Sequence, residues 1–195
     1  MTMLIAFASL APVPWKNGGG TTTEIIAEPP GAQFHDFDWR ISLATILQDG
    51  PFSVFPGVDR TLALVEGPGL VLDIDDSRFA LDEMDAVIEF AGESAVRASL
   101  DGGPTIDFNV MTRRAVCHHK FGRRRLEGTS VFAPRGDRSL LFLAEGESLS
   151  VSSDDERIGL VRFDAIVFDT DTVWTLEAQS ATVFIVDLFY GSPAL

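Results

Sequence analysis

Residues 14–26 of the chain read Pro14-Trp15-Lys16-Asn17-Gly18-Gly19-Gly20-Thr21-Thr22-Thr23-Glu24-Ile25-Ile26. Proline lacks a backbone donor and glycine is free in φ, so the first half of this stretch predicts a loop. The second half, from Thr21 onward, is rich in β-branched residues and predicts a strand. The loop allows two interpretations: a tight turn that needs positive φ, or a backbone whose N–H groups face a small anionic or carbonyl ligand. The residues leave both open.

Short apolar segments separated by Gly, Pro and Asp turns continue along the chain, and no amphipathic helix longer than two turns is evident. The turn at residues 66–69 predicts a hairpin between residues 61–65 and 70–74. Other predicted strands cover residues 37–46, 86–90, 106–111, 115–120, 130–132, 140–143, 149–151, 165–168, 173–176 and 181–189. This pattern predicts an all-β sandwich or barrel with few short helices.

Two segments of the chain resemble each other. Residues 59–67, DRTLALVEG, are similar to residues 137–146, DRSLLFLAEG, and residues 85–88 are similar to residues 164–167. The order is preserved at nearly fixed spacing, which predicts two copies of one β unit. The approximate halves are 1–104 and 105–195, within one compact unit 1–195. Because Arg138 takes the place of Arg60 in the second copy, the repeat favours a turn or salt-bridge role for Arg60 over ligand binding.

The composition of the chain limits which partners and which cellular location are expected. The formal net charge is −14, which disfavours binding to nucleic acid and to anionic membranes. Cys117 is the only cysteine, so no intrachain disulfide can form and a reducing compartment is expected. The first cation is Lys16, too late for a signal peptide, and no uncharged run is long enough to cross a bilayer. The expected location is the cytoplasm.

Four blocks of the chain resemble the HutD/Ves family. They are the stretch from Pro14 to Ile25, residues 39–42 (WRIS), residues 49–60 (DGPFSVFPGVDR) and residues 107–114 (DFNVMTRR). These blocks occur in the family's order and span most of the chain. The resemblance implies a fold of two cupin-like halves and a link to bacterial histidine utilisation. It implies no particular reaction.

The sequence gives little indication of a metal site or of a catalytic nucleophile. The three histidines are His35, His118 and His119, and a cupin metal site needs a His-x-His pair, which is missing. Adjacent His118 and His119 would point to opposite sides of a strand. We therefore expect no metal and no other cofactor. Cys117 is expected to be buried and unreactive.

A basic run is the most visible local departure from the acidic composition: Arg113, Arg114, Lys120, Arg123, Arg124 and Arg125. Few aromatic residues are interleaved with it, so a nucleic-acid interface is disfavoured. We expect a solvated loop that pairs with the protein's own acidic residues. A contact between subunits of a homodimer is the alternative.

The remaining candidate site is polar and holds no metal. Strand alternation places Thr22 with Glu24 and Arg40 with Ser42, each pair on one face. Charged side chains inside a barrel are costly unless they are paired or bind a ligand, so either a ligand or a buried ion pair of Glu24 with Arg40 or Lys16 is expected. The candidate ligand-binding residues are Trp15, Lys16, Asn17, Gly19, Thr22, Glu24, Arg40, Ser42, Phe52, Asn109 and Arg113.

Three functions are compatible with this site. In the first, a regulatory small-molecule-binding protein holds a small carboxylate, and the family resemblance implies N-formylglutamate. In the second, a metal-independent isomerase or hydrolase uses Glu24 or a histidine as the base and Lys16 or Arg40 to stabilise developing negative charge. In the third, a ligand-free interaction or stress-response protein contacts a partner through the basic run. The sequence assigns no demonstrated catalytic activity.

Overall fold

The computed structural model describes residues 2–33, 35–82, 86–168 and 172–191. In these ranges the chain is almost entirely β, with a single 3-10 turn at Phe7–Ser9. The strands are β1 (Met3–Ile5), β2 (Val13–Pro14), β3 (Gly20–Glu28), β4 (Trp39–Ile46), β5 (Gly50–Pro51), β6 (Val58–Glu66), β7 (Leu70–Ile74), β8 (Ser77–Leu81), β9 (Val87–Ala91), β10 (Val96–Leu100), β11 (Thr105–Arg113), β12 (Cys117–Phe132), β13 (Arg138–Glu145), β14 (Ser148–Ser152), β15 (Arg157–Val161), β16 (Ala165–Phe168) and β17 (Trp174–Tyr190).

The chain divides into two compact units. Unit N is Leu10–Cys117, and unit C combines Met1–Ser9 with His118–Gly191. Strand β11 pairs with β4 and β6 of unit N, so the units divide after Cys117 rather than after residue 104. Strand β1 pairs with β16, which assigns the first residues to unit C.

Unit N contains two antiparallel sheets that share one apolar core. The six-stranded sheet has the order β2-β3-β4-β11-β6-β9, and the four-stranded sheet has the order β5-β10-β7-β8. Leu62 and Ile88 of the first sheet pack with Leu72 and Val96 of the second. Alternate residues of each strand therefore point to this interior, and the six-stranded sheet also brings its polar residues there.

Unit C is built from one sheet of order β1-β16-β13-β17-β14-β15, with β12 paired to β17. Its core is apolar and includes Leu141, Leu143, Val151, Ile166 and Trp174. Within the described part of the chain, no helix has the length and apolar character needed to cross a membrane.

The sequence repeat corresponds to a repeat of strand pairing. Strands β6 to β9 of unit N correspond to β13 to β16 of unit C, and β10 with β11 corresponds to the single long strand β17. Asp85, at the start of the second repeated segment, lies outside the described residues. The remainder of the repeat shows that one β unit is present twice.

The pairing also sets the alignment of the two copies. Leu62 pairs with Ile88 and Asn109, just as Leu141 pairs with Ile166 and Ile185. A register shift follows in both copies, before Glu66 in β6 and before Glu145 in β13. Glu66 therefore corresponds to Glu145, an offset of 79 residues along the whole of β6. Residues 59–67 therefore align with residues 138–146, and the similar Asp-Arg pairs at 59–60 and 137–138 are one residue out of register.

Most of the predicted strands are present, but the predicted hairpin is wrong: β6 and β7 follow each other in the chain and belong to different sheets, and β7 pairs with β8 and β10. The prediction missed β2, β5, β8, β10 and β15, and it divided β12 and β17 into shorter pieces. Strand β12 carries Lys120 and Arg123–Arg125 of the basic run, so the expectation of a loop there is wrong. The expectation of pairing with the protein's own acids is correct for Arg114, which pairs with Asp59 and Glu93.

Candidate functional site

The glycine loop is a tight turn between β2 and β3. The N–H of Gly18 donates to Trp15 O and the N–H of Gly19 donates to Asn17 Oδ1, each at 3.0 Å. Gly18 has φ +71°, and a Cβ on Gly20 would lie 2.2 Å from Thr45 O. The tight-turn interpretation is therefore confirmed. Because the loop itself uses the N–H groups of Gly18 and Gly19, they do not face a ligand.

The loop's side chains lie outside the interior, except for the indole. Lys16 and Asn17 are exposed, so Lys16 contributes no cation to the interior of unit N. Trp15 is half-buried and its Nε1–H donates to Thr22 Oγ1 at 2.7 Å. Trp15, Gly19 and Phe52 help to line a cavity of about 10 Å³, which has room for roughly one water molecule.

Register brings the other polar residues onto one face of the six-stranded sheet. Glu24 pairs with Ser42, Ser42 with Asn109, and Asn109 with Leu62, forming one row across four strands. In the next row, Met111 of β11 pairs with Arg40 on one side and Arg60 on the other. The Cα atoms of Arg40 and Arg60 are therefore separated by two strand spacings, about 10 Å. Leu62 belongs to the core, so both rows point to the interior.

Arg40 is held by an ion pair at the accessible edge of this face. Its Nε lies 2.7 Å from Glu24 Oε2, and the two side chains are 16% and 42% exposed. The predicted Glu24–Arg40 pair therefore forms, although Glu24 is not buried. An exposed pair of this kind contributes little to stability, about 1 kcal/mol or less.

Arg60 has a different environment. It is 6% exposed, and its guanidinium lies over the rings of Phe52, Phe55 and Phe90 at 5.3, 5.5 and 4.9 Å. Its buried Nε has no hydrogen-bond acceptor among the described residues. Burial and, second, the charge of Arg40 lower the pKa of Arg60 to about 10, so it is still a cation at neutral pH. The site thus holds two cations, Arg40 and Arg60, and among the described residues Arg40 is paired with an acid whereas Arg60 is not.

The expected turn or salt-bridge role of Arg60 is wrong. With the offset of 79 residues, the structural counterpart of Arg60 is Ser139, and not Arg138. Arg138 is exposed and follows the opposite alternation. Ser139 donates to Asp187 Oδ1, whereas the guanidinium of Arg60 has no acidic partner in the described ranges. The two copies therefore differ where Arg60 lies.

Two buried polar residues on β11 share this face with Arg60. Asp107 is fully buried and accepts a hydrogen bond from Thr105 Oγ1 at 3.0 Å, while its Oδ1 has no partner in the described chain. Burial raises the pKa of Asp107 to about 7, although the Thr105 bond opposes this shift. Asn109 is 7% exposed, and its Oδ1 also has no described partner. Asp107 was not predicted as a site residue.

The counterparts of these residues in unit C are apolar. Asp107 corresponds to Val183 and Asn109 corresponds to Ile185, both on β17. Val183 lies in the core of unit C and Ile185 packs against it. The β unit therefore does not need polar residues at these positions, so their presence in unit N calls for another reason. The Glu-Gly pair of each copy, offset by 79, was the sequence signal that could have given this alignment.

Arg113 is occupied by the backbone of its own unit. Its Nη2 donates to His35 O at 2.6 Å and its Nε donates to Phe37 O at 3.1 Å. The guanidinium also lies 5.8 Å from the centroid of the Phe37 ring. These contacts fix the segment before β4, which explains Arg113 without a ligand.

The thiol and one of the imidazoles have surroundings that can be described individually. Cys117 is fully buried, and burial, more than the nearby Asp38, raises the pKa of its thiol to about 11, as expected for an unreactive cysteine. His118 stacks on Phe189 with centroids 5.1 Å apart. Across the described ranges, no three His, Cys, Asp or Glu side chains are grouped to hold a metal ion. That the protein uses no metal stays a prediction.

The HutD family model matches residues 8–186 of this chain. The chain belongs to the HutD family. It is similar to Protein Ves of Citrobacter koseri, with 41% identity over 107 residues that make up 54% of this chain and 55% of that protein. The chain thus spans about half the length of the curated relatives it matches.

Two solved structures resemble this HutD-family chain over nearly its full length. A conserved protein of unknown function, PA5104 from Pseudomonas aeruginosa PAO1, has 27% identity and a TM-score of 0.89, covering 97% of this chain and 99% of that one. HutD from Pseudomonas fluorescens SBW25, in a formate condition, has 26% identity and a TM-score of 0.82, covering 98% and 100%. The expected fold of two cupin-like β halves is confirmed.

Proposed function

We propose that this HutD-family protein binds a small carboxylate in unit N and acts as a cytoplasmic regulator of histidine utilisation. Arg60 and Arg40 would hold the carboxylate, and Ser42 and Asn109 would contact the rest of the molecule. N-formylglutamate is the proposed ligand, because the family's name connects it with histidine breakdown. The residues that carry this proposal lie on one face of the six-stranded sheet.

One observation supports the proposal above the others: the cationic guanidinium of Arg60 is buried and has no acidic partner among the residues that the structure describes. An unpaired buried charge is destabilising, and an arginine beside a second arginine is suited to a carboxylate, which accepts two hydrogen bonds. The unpaired Nε of Arg60 is the donor available for such a bond. The free oxygens of Asn109 and Asp107 additionally favour a ligand that carries an N–H group, as a formylated amino acid does.

The alternative of a ligand-free interaction protein is favoured by a different observation. Aromatic rings surround the Arg60 guanidinium, and the cavity beside Phe52 has only about 10 Å³. In that interpretation the three rings stabilise Arg60 by cation–π contacts and no anion is needed. Calorimetry distinguishes the two functions.

The test is a calorimetric titration of the protein with each of three acids: formate, N-formylglutamate and urocanate. We expect heat with N-formylglutamate, and at least a tenfold weaker affinity for Arg60→Gln, because a charge-assisted hydrogen bond is lost. Arg78→Gln is the matched control: it removes the same charge from an arginine that is 70% exposed and 3.8 Å from Asp73. If none of the three acids gives heat at millimolar concentration, or if the two variants bind equally, the proposed site is wrong.

A further inference from the structure

Phe52 lies between the cation of the proposed site and the cavity beside the glycine loop. On one side, the Arg60 guanidinium lies 5.3 Å from the centroid of the Phe52 ring. On the other side is the cavity of about 10 Å³ that Phe52 lines together with Trp15 and Gly19. A movement of this single ring would therefore connect the small cavity with the buried cation.

The three rings around Arg60 are held to different degrees. Phe90 belongs to β9 and faces Arg60 across the strand pair. Phe55 is 6% exposed and packs in a cluster with Phe37, at 6.1 Å between centroids. Phe52 is only half-buried, and the residues that follow it are exposed. Phe90 is also half-buried, and both rings pack against the core of unit N, but Phe52 lies outside the strands whereas Phe90 lies in β9.

The backbone at Phe52 is fixed, so the ring is the part that can move. The N–H of Phe52 donates to Val96 O at 2.9 Å, and the N–H of Phe55 donates to Gly92 O at 2.7 Å. Both ends of this short loop are thereby attached to the strands beside it. Rotation about χ1 of Phe52 changes the ring position without breaking either hydrogen bond.

We infer that the Phe52 ring occupies the place of the anion above Arg60 in the unliganded protein and rotates away when a carboxylate binds. This inference rests on the proposed function, whose site it describes in more detail. The ring compensates the buried cation while the site is empty, because the face of an aromatic ring attracts a guanidinium. It also explains why the interior is filled although no acid of the described chain pairs with Arg60.

The affinity for a carboxylate depends on the fraction of molecules in which the Phe52 ring covers Arg60. If the ring covers Arg60 most of the time, the apparent dissociation constant equals the intrinsic constant divided by the fraction of molecules that are open, so it is higher than the intrinsic constant. Removing the ring removes this penalty, so Phe52→Ala is expected to bind formate about tenfold more tightly than the natural protein. Formate is a suitable probe because its small size avoids contacts with the rest of the site.

The test has a readout that needs no ligand. Phenylglyoxal modification of arginine is followed by mass spectrometry of peptides, with Arg78 and Arg157, each 70% exposed, as internal references. We expect the rate at Arg60 to rise at least fivefold in Phe52→Ala. Val54→Ala, two residues away on the same loop and 50% exposed, is the matched control and should leave the rate unchanged. Phe52→Leu, which keeps an apolar side chain, replaces Phe52→Ala if the latter does not fold.

Calorimetry with formate then separates the two claims. Tighter formate binding together with faster Arg60 modification in Phe52→Ala supports the inference. Equal modification rates and equal formate affinities in the two proteins overturn the role of Phe52 but leave the carboxylate site intact. If neither protein binds formate or N-formylglutamate, the proposed function is wrong, and the displacement of the ring by an anion is wrong with it.

Discussion

At the scale of the residue, the site consists of polar groups that the fold does not require. Arg60, Asp107 and Asn109 correspond to Ser139, Val183 and Ile185 in the other copy of the β unit. Buried polar groups without partners reduce stability, because water no longer solvates them. Unit N carries this cost at several neighbouring positions, which is the pattern expected of a binding site rather than of a scaffold.

Asp107 gives a prediction for the dependence of stability on pH. Its pKa is about 7 in the folded protein and about 4 in the unfolded chain. Between these values the folded state binds a proton that the unfolded state does not, so stability falls as pH rises through this window. Asp107→Asn removes the effect. We expect this variant to exceed the natural protein in free energy of unfolding at pH 8, by at most about 4 kcal/mol, and to match its pH dependence below pH 4.

Urea denaturation at pH 4, 6 and 8 measures this difference. The control is Asp155→Asn, since Asp155 is an exposed aspartate in unit C. Its stability should follow that of the natural protein at each pH. Parallel curves for Asp107→Asn and the natural protein would show that Asp107 titrates normally in the folded state.

At the scale of the element, the turn and strand at residues 14–28 combine a conformational and a steric requirement. Gly18 supplies the positive φ of the turn, and Gly20 allows β3 to lie against β4. Gly20→Ala would place a Cβ 2.2 Å from Thr45 O, a backbone atom that cannot move alone. We expect a loss of about 1–3 kcal/mol in the free energy of unfolding, as for overpacked sites. Gly159→Ala is the control, because nothing lies within 4 Å of its added Cβ.

Thermal and urea denaturation of both glycine variants provide the measurement. Gly159 lies in β15, where alanine also has the better conformational preference, so this variant should be neutral or slightly stabilised. A Gly20→Ala protein as stable as the natural one would mean that β3 moves away from β4 without cost.

Strands could be located from the sequence where their apolar and polar residues follow a clear pattern over a short segment between turns. Strands such as β6 and β13 are apolar runs between turns, and the sequence alone located them. Strand β8, with the sequence SRFAL, is exposed at four of its five positions, so it shows no alternation. Strand β12 contains two glycines and the basic residues, and its pairing with β17 comes from distant parts of the chain. Local patterns do not contain that information.

At the scale of the whole molecule, duplication of the β unit explains which side chains the sequence grouped on one face and which one it aligned wrongly. The sequence showed that the unit occurs twice, and alternation correctly grouped Glu24, Arg40 and Ser42 by face. It aligned Arg60 with Arg138 because the similar Asp-Arg pairs at 59–60 and 137–138 are one residue out of register. A shift of one residue moves a side chain to the other face of a strand. The true counterpart was therefore visible only from the pairing.

The duplication also supplies a reciprocal experiment. Asn109→Ile introduces into unit N the residue found at the same position of unit C, and Ile185→Asn makes the opposite change. If Asn109 serves a ligand, its replacement should leave stability unchanged or raise it by about 1 kcal/mol, since an unpaired polar atom is removed, while carboxylate binding is lost. Ile185→Asn should cost about 2–4 kcal/mol, because an amide is placed against an apolar core without a partner.

Urea denaturation and calorimetry on the same two proteins decide the outcome. Ile185→Asn, if it folds, should bind N-formylglutamate with the affinity of the natural protein, because its change lies in unit C. Asn109→Ile should be folded and yet fail to bind. If Asn109→Ile instead destabilises the protein as strongly as Ile185→Asn does, the amide of Asn109 supports the fold of unit N. Asn109 would then be a structural residue of unit N and not a mark of a binding site.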